Sequence, residues 1–164
     1  MCLDGERFYA FKMTKPILIF TWGNPSRGDD ALGSLLAERI EALALPDVEC
    51  LTDFQLQVEH ALDLRGRRRV LFADASRAIG APFRVSRIAP VRNASFSTHA
   101  MNPHAVLQAY VDFEGVSPPP CTLLEMGGID FELGAGLSAA AQQHLEAALL
   151  WVIGWINDPR QPRQ

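Results

Sequence analysis

Apolar residues fall along this chain in short blocks separated by polar turns. Pro16–Trp22 (PILIFTW) is almost continuously apolar and stops at Gly23-Asn24-Pro25, the pattern of a strand buried on both faces and then a turn. Asp30–Leu43 repeats Leu32, Leu35, Leu36, Ile40 and Leu43 at helical spacing. Asp29 and Asp30 stand at its start, where an N-cap and a first turn favour acidic groups. Val48–Thr52 predicts a second strand, Leu56–Leu64 a helix, and Arg69–Ala73 a third buried strand leading to Asp74. Phe83–Ile88 alternates apolar and polar residues, as an edge strand with one wet face does. Pro103–Phe113 predicts a helix, Thr122–Met126 a further strand, and Ser138 caps a last helix to Ile156. Gly127, Gly128, Gly134 and Gly136 mark a long, flexible loop before that cap.

Short apolar strands alternating with helices predict an α/β protein. The expected form is a three-layer α/β/α sandwich around a mostly parallel twisted sheet of about five strands. Residues 13–156 form the single domain, residues 1–12 an extension to which no function is given, and residues 157–164 a polar tail. In such sheets ligands bind beyond the carboxyl ends of the strands, where strand order reverses. The common order 2-1-3-4-5 sets strand one beside strand three. Gly23–Asp30 and Asp74 then face one crevice.

Composition narrows the chemistry. The 164 residues carry 15 Lys plus Arg against 19 Asp plus Glu, a net charge of −4, which argues against charge-driven nucleic-acid binding. The run Arg65, Arg67, Arg68, Arg69 reads as a solvated lead-in to a strand. Cys2, Cys50 and Cys121 are odd in number and widely spaced, which fits neither a disulfide framework nor a CxxC site and suggests a reducing cytoplasm. The N-terminus has no apolar signal core. The apolar stretch Ala147–Ile156 is shorter than the roughly 20 residues of a membrane span, so no membrane partner is expected. Trp151 and Trp155 read as core packing, and His60 and His144 as helical side chains without a role.

Gly23 and Gly28 make half of a phosphate-binding loop, but Asp29-Asp30 stand where its Lys-Ser/Thr would be. Carboxylates repel phosphate and attract cations, so nucleotide binding is rejected. Phe96–His104 offers His99 or His104 as an imidazole partner. One imidazole with two carboxylates suits a mid-series divalent metal such as nickel, with positions open for water or substrate.

Three motifs then carry a resemblance. GNPSRGDDALG (Gly23–Gly33), FADAS (Phe72–Ser76) and STHAMNPHAVL (Ser97–Leu107) resemble, in order and spacing, the [NiFe]-hydrogenase maturation proteases, and Leu51–Leu64 and Gly127–Ser138 fit as well. The similarity covers about residues 13–156. It implies an aspartic-type endopeptidase that removes the C-terminal peptide of a hydrogenase large-subunit precursor after nickel insertion. It also implies that Asp30, Asp74 and His99 bind the divalent metal, nickel by preference and supplied by the substrate, with Asp30 and Asp74 catalytic. Asp30 is one methylene shorter than the Glu common at that position in the family. Gly23, Asn24, Asp29 and His104 are the candidate substrate contacts.

Two other readings stay open at this level. GNP after a first strand is also found in peptidyl-tRNA hydrolases, although a basic channel and a His soon after the motif are missing here. A non-catalytic, nickel-sensing assembly chaperone would use the same acidic cleft.

Overall fold

The computed structural model describes residues 14–92 and 101–158. Five strands, β1 (Ile17–Trp22), β2 (Val48–Asp53), β3 (Arg69–Ser76), β4 (Phe83–Ile88) and β5 (Cys121–Gly127), form one sheet in the order β2-β1-β3-β5-β4. All neighbouring pairs are parallel except β4–β5. The expected neighbours β1 and β3 are confirmed, as is the edge position of β4. The last two strands exchange places relative to the order 2-1-3-4-5. The physical reason is the short link from β3 to β4: a return over residues 77–82 makes an antiparallel strand without a helical crossover, and β5 then enters between them.

Helices cover both faces. α1 (Leu32–Glu41) and α3 (Ala139–Asn157) pack over Ile17, Ile19, Leu71, Ala73, Leu124 and Met126. α2 (Pro103–Glu114) and a 3-10 segment, Val58–Leu64, pack over Leu18, Phe20, Val70 and Phe72. Alternate residues of β1 and β3 therefore feed opposite cores, which is why these strands are apolar at nearly every position. The expected helix at Leu56–Leu64 begins later and is 3-10 throughout. Its start is set by the Gln57 side chain and by the Gln57 N–H, which donates to His60 Nδ1 at 2.9 Å.

The arginine run is solvated at Arg65 but built into the structure at Arg67 and Arg69. Arg67 pairs with Glu49 at 2.7 Å and Arg65 with Glu114, while Arg69 is only 2% exposed. Trp155 is buried and Trp151 lies against Phe83, as core packing requires. No helix among the described residues is long and apolar enough to cross a membrane.

Candidate active site

Strand β1 ends at Trp22, and Gly23 turns the chain with φ of 139°, a conformation that L side chains rarely adopt. The Gly23 N–H donates to the Asp53 carbonyl at 3.1 Å, which ties the turn to the end of β2. A Cβ at Gly23 would lie 2.3 Å from the Asp30 carbonyl oxygen and 3.3 Å from its Oδ1. Glycine thus lets the Asp30 carboxylate fold back over the end of β1, where Oδ2 accepts the Asn24 N–H at 2.7 Å.

Asp74 comes from β3. Thr21 pairs with Ala73, so Trp22 and Asp74 emerge side by side, and the Trp22 side chain hydrogen-bonds the Asp74 carboxyl. On the other side β5 places Glu125 opposite Asp74. Burial pushes the Asp74 carboxyl up to about 7, and the negative charges of Asp30 and Glu125 add to that rise. The Ala75 N–H, donating at 2.8 Å, and the Trp22 side chain only partly offset it. Two carboxylates 44 positions apart in sequence therefore share one crevice at the carboxyl end of the sheet.

Asp29 does something else. It is fully buried and accepts from Ile129 N, Asp130 N, Ser138 N and Ser138 Oγ at 2.8–3.0 Å. Burial alone would raise its pKa, but these four donors outweigh it and hold the carboxyl below the usual value. With both oxygens taken up by these four donors, Asp29 is an anchor rather than the expected substrate contact. Neither acid caps its own helix. A 3-10 turn, Gly28–Ala31, precedes α1, with Arg27 at its N-cap and no side-chain cap bond. Asp29 instead fixes Ser138, whose side chain caps α3.

The glycine-marked loop from Gly128 to Ser138, read from sequence as flexible, is fastened by these bonds to residues 26–29. Gly28 N donates to Ala135 O and Gly134 N to Ser26 O. Gly28, at φ 52°, lies so close to Asp130 that a Cβ would sit 2.4 Å from its carbonyl oxygen.

The histidines divide. His99 lies outside the described residues. His104, on the first turn of α2, is held by the carbonyl of Ala89 at 2.8 Å. Ala89 follows Ile88, which pairs with Cys121, whereas Asp74 pairs with Glu125. Four residues of strand, roughly 13 Å, separate those levels of β5. The expected contact of His104 with the crevice is thus corrected: its ring is tied to the other end of the sheet. His60 is not idle. Its Nδ1 accepts the Gln57 N–H, so the Nε2 proton faces Asp53 Oδ2 at 3.2 Å, bracing the turn after β2. Among the described residues no cluster of three His, Cys, Asp or Glu side chains is arranged to hold a metal ion. Cys50 and Cys121 are free thiols that burial pushes up to about 12, which makes both poor nucleophiles.

Trp22 and Glu125 were not singled out from the sequence. Their influence on Asp74 depends on strand register, and no local signal marks it.

Several solved structures resemble this one over most of their length. HycI, a [NiFe] hydrogenase maturation protease from Thermococcus kodakarensis KOD1, superposes with a TM-score of 0.68 and 22% identity over 90% of this chain and 96% of that one. The hydrogenase maturating endopeptidase HybD from E. coli gives 0.65 and 25% over 85% of this chain and 91% of that one. The chain has the hydrogenase maturation protease fold. An Escherichia coli endopeptidase solved in solution shares it at 26% identity, with a TM-score of 0.62 and coverage of 84% of this chain and 90% of that one. No family model matches the sequence, and no curated protein matches it. In this maturation-protease fold the crevice of Asp30 and Asp74 occupies the place where open α/β sheets bind their ligands.

Proposed function

We propose that the protein is an endopeptidase of hydrogenase maturation, which removes the C-terminal peptide of a large-subunit precursor after nickel insertion. The observation that carries this reading is the meeting of Asp30 and Asp74 in one crevice, in a fold shared with solved maturation endopeptidases.

The donor set fits a cation. Two carboxylates repel each other, and the charge of Asp30 helps hold the Asp74 proton in place until a positive charge replaces it. Asp30 and Asp74 are the residues that would hold a divalent metal, with His99 as the third ligand. In this reading nickel arrives as part of the substrate, and the protease tests for its presence. Bound there, the metal supplies Lewis-acid polarisation of the scissile carbonyl.

The remaining work belongs to the chain. Asp74, freed of its proton when the cation arrives, is placed to act as the general base. Its carboxylate takes a proton from the attacking water, the C–N bond breaks, and the same proton passes to the leaving amine. Asn24 N–H fixes the orientation of Asp30, and the side chain of Trp22 fixes that of Asp74.

Intact-mass measurement tests the reading. Nickel-loaded precursor mixed with this protein should lose its C-terminal peptide, while nickel-free precursor should not. Asp30→Asn and Asp74→Asn should each slow cleavage by about 100-fold or more with the fold retained. An unchanged precursor mass would identify a chaperone instead, and full processing by both variants would remove the assigned roles.

A further inference from the structure

Phe54, Ile129 and Leu133 are 64%, 68% and 75% exposed, three of the four most exposed large apolar side chains among the described residues. Single exposed apolar residues need no explanation, but these three share a place in the fold. Phe54 directly follows β2, while Ile129 and Leu133 lie on the segment that leaves β5. In the order β2-β1-β3-β5 those two strands enclose the β1–β3 pair, near whose carboxyl ends Asp30 and Asp74 meet. Apolar groups therefore stand on both sides of the acidic crevice, at the same end of the sheet.

Their exposure is not slack in the backbone. Ile129 N and Asp130 N donate to Asp29 Oδ2, and Gly134 N donates to Ser26 O at 2.8 Å. Between the two exposed residues Phe131 packs back on the chain. A Cβ at Gly128 would lie 2.6 Å from Phe131 Cζ, and the Arg77 guanidinium carbon is 4.2 Å from the centre of the Phe131 ring. On the other side the Phe54 N–H donates to Asp53 Oδ1 at 2.6 Å, and the Asp53 carbonyl holds the Gly23 N–H. Both flanks are thus fastened, with their apolar side chains turned out. A surface already fixed binds a partner without first being ordered.

The spacing sets the size of the partner. Three strand spacings, about 14 Å, separate β2 from β5, with the crevice midway. An extended peptide advances about 3.3 Å per residue, so roughly four residues cross that distance.

We propose that Phe54 on one side, and Ile129 with Leu133 on the other, form the docking rim for the substrate: an extended segment of the precursor with apolar side chains about two residues before and after the scissile bond. This rests on the reading of the protein as a maturation endopeptidase. The acids between the flanks attract positive charge, and the rim supplies the apolar contact area that holds the chain across them.

Steady-state cleavage of nickel-loaded precursor, followed by intact mass, tests this with Phe54→Ser and with Ile129→Ser combined with Leu133→Ser. Each variant should raise KM by about tenfold and leave kcat within roughly twofold. Both should melt within about 2 °C of the wild type, because the side chains removed are largely exposed. If the wild type binds the precursor without cutting it, the endopeptidase reading fails alone, and the dissociation constant of the complex takes the place of KM. An unaltered KM or dissociation constant in both variants would overturn the proposal. So would a marked fall in melting temperature, which would mean that the chain covers the rim itself, or a dimer that the variants release, which would mean that a second copy does. A wild type that neither binds nor cuts the precursor overturns both readings.

Discussion

Asp29 and Asp74 are both carboxylates sequestered near the carboxyl end of the same sheet, yet their proton affinities move in opposite directions. Asp29 meets four donors and is held ionised. Asp74 meets one backbone N–H and one side-chain donor, with two negative charges beside it, and is pushed up to about 7. Burial raises both: at Asp74 it prevails, and at Asp29 four donors outweigh it. The count of donors against like charges makes one acid a fastening and the other a reactive group.

Three substitutions probe that contrast, beginning with the largest effect. Asp29→Ala strands three backbone N–H groups of the 128–138 loop and the cap of α3. It should cost about 3–5 kcal/mol in chemical denaturation. Because the folded pKa of Asp29 is depressed, its contribution is present above its unfolded value of about 3.8 and is lost as pH falls through the folded one. An acid-unfolding profile that Asp29→Ala leaves unchanged would contradict the anchor role.

Asp74 should behave with the opposite sign. Its folded pKa is raised, so the native state binds more protons than the unfolded chain between about 3.8 and about 7, and stability falls as pH rises through that window. Asp74→Asn removes this penalty. The variant should be more stable than the wild type at pH 8, by up to roughly 3–4 kcal/mol, and of similar stability at pH 4. A destabilised variant at pH 8 would show that Asp74 is satisfied in the way Asp29 is.

Gly23→Ala is the smallest of the three in stability, about 1–3 kcal/mol from the strained backbone. Its Cβ displaces Asp30, however, so cleavage should fall more than stability does. A variant that loses stability but cuts normally would separate the turn from the crevice.

The pattern of residues by itself determined the elements. The apolar blocks at Pro16–Trp22 and Arg69–Ala73 read as strands shielded on both sides, and Ser138 marks the start of α3 because its hydroxyl suits an N-cap. Acidic residues after the first and third strands were readable as a cation-attracting pair, since strand order 2-1-3 brings their ends together. The division of labour between two adjacent acids was not readable. Asp29 and Asp30 are chemically identical, and only the 3-10 turn that aims one at Ser138 and the other at Asn24 tells them apart. His104 likewise lies within the motif, yet the path of the chain after β4 ties its ring to Ala89. Partners brought together across the sheet, such as Trp22 and Glu125 around Asp74, exist only once the register is set. Periodicity along a chain records which face of an element is buried. Proton affinity depends on charges and donors contributed by other elements, and their positions are fixed by packing.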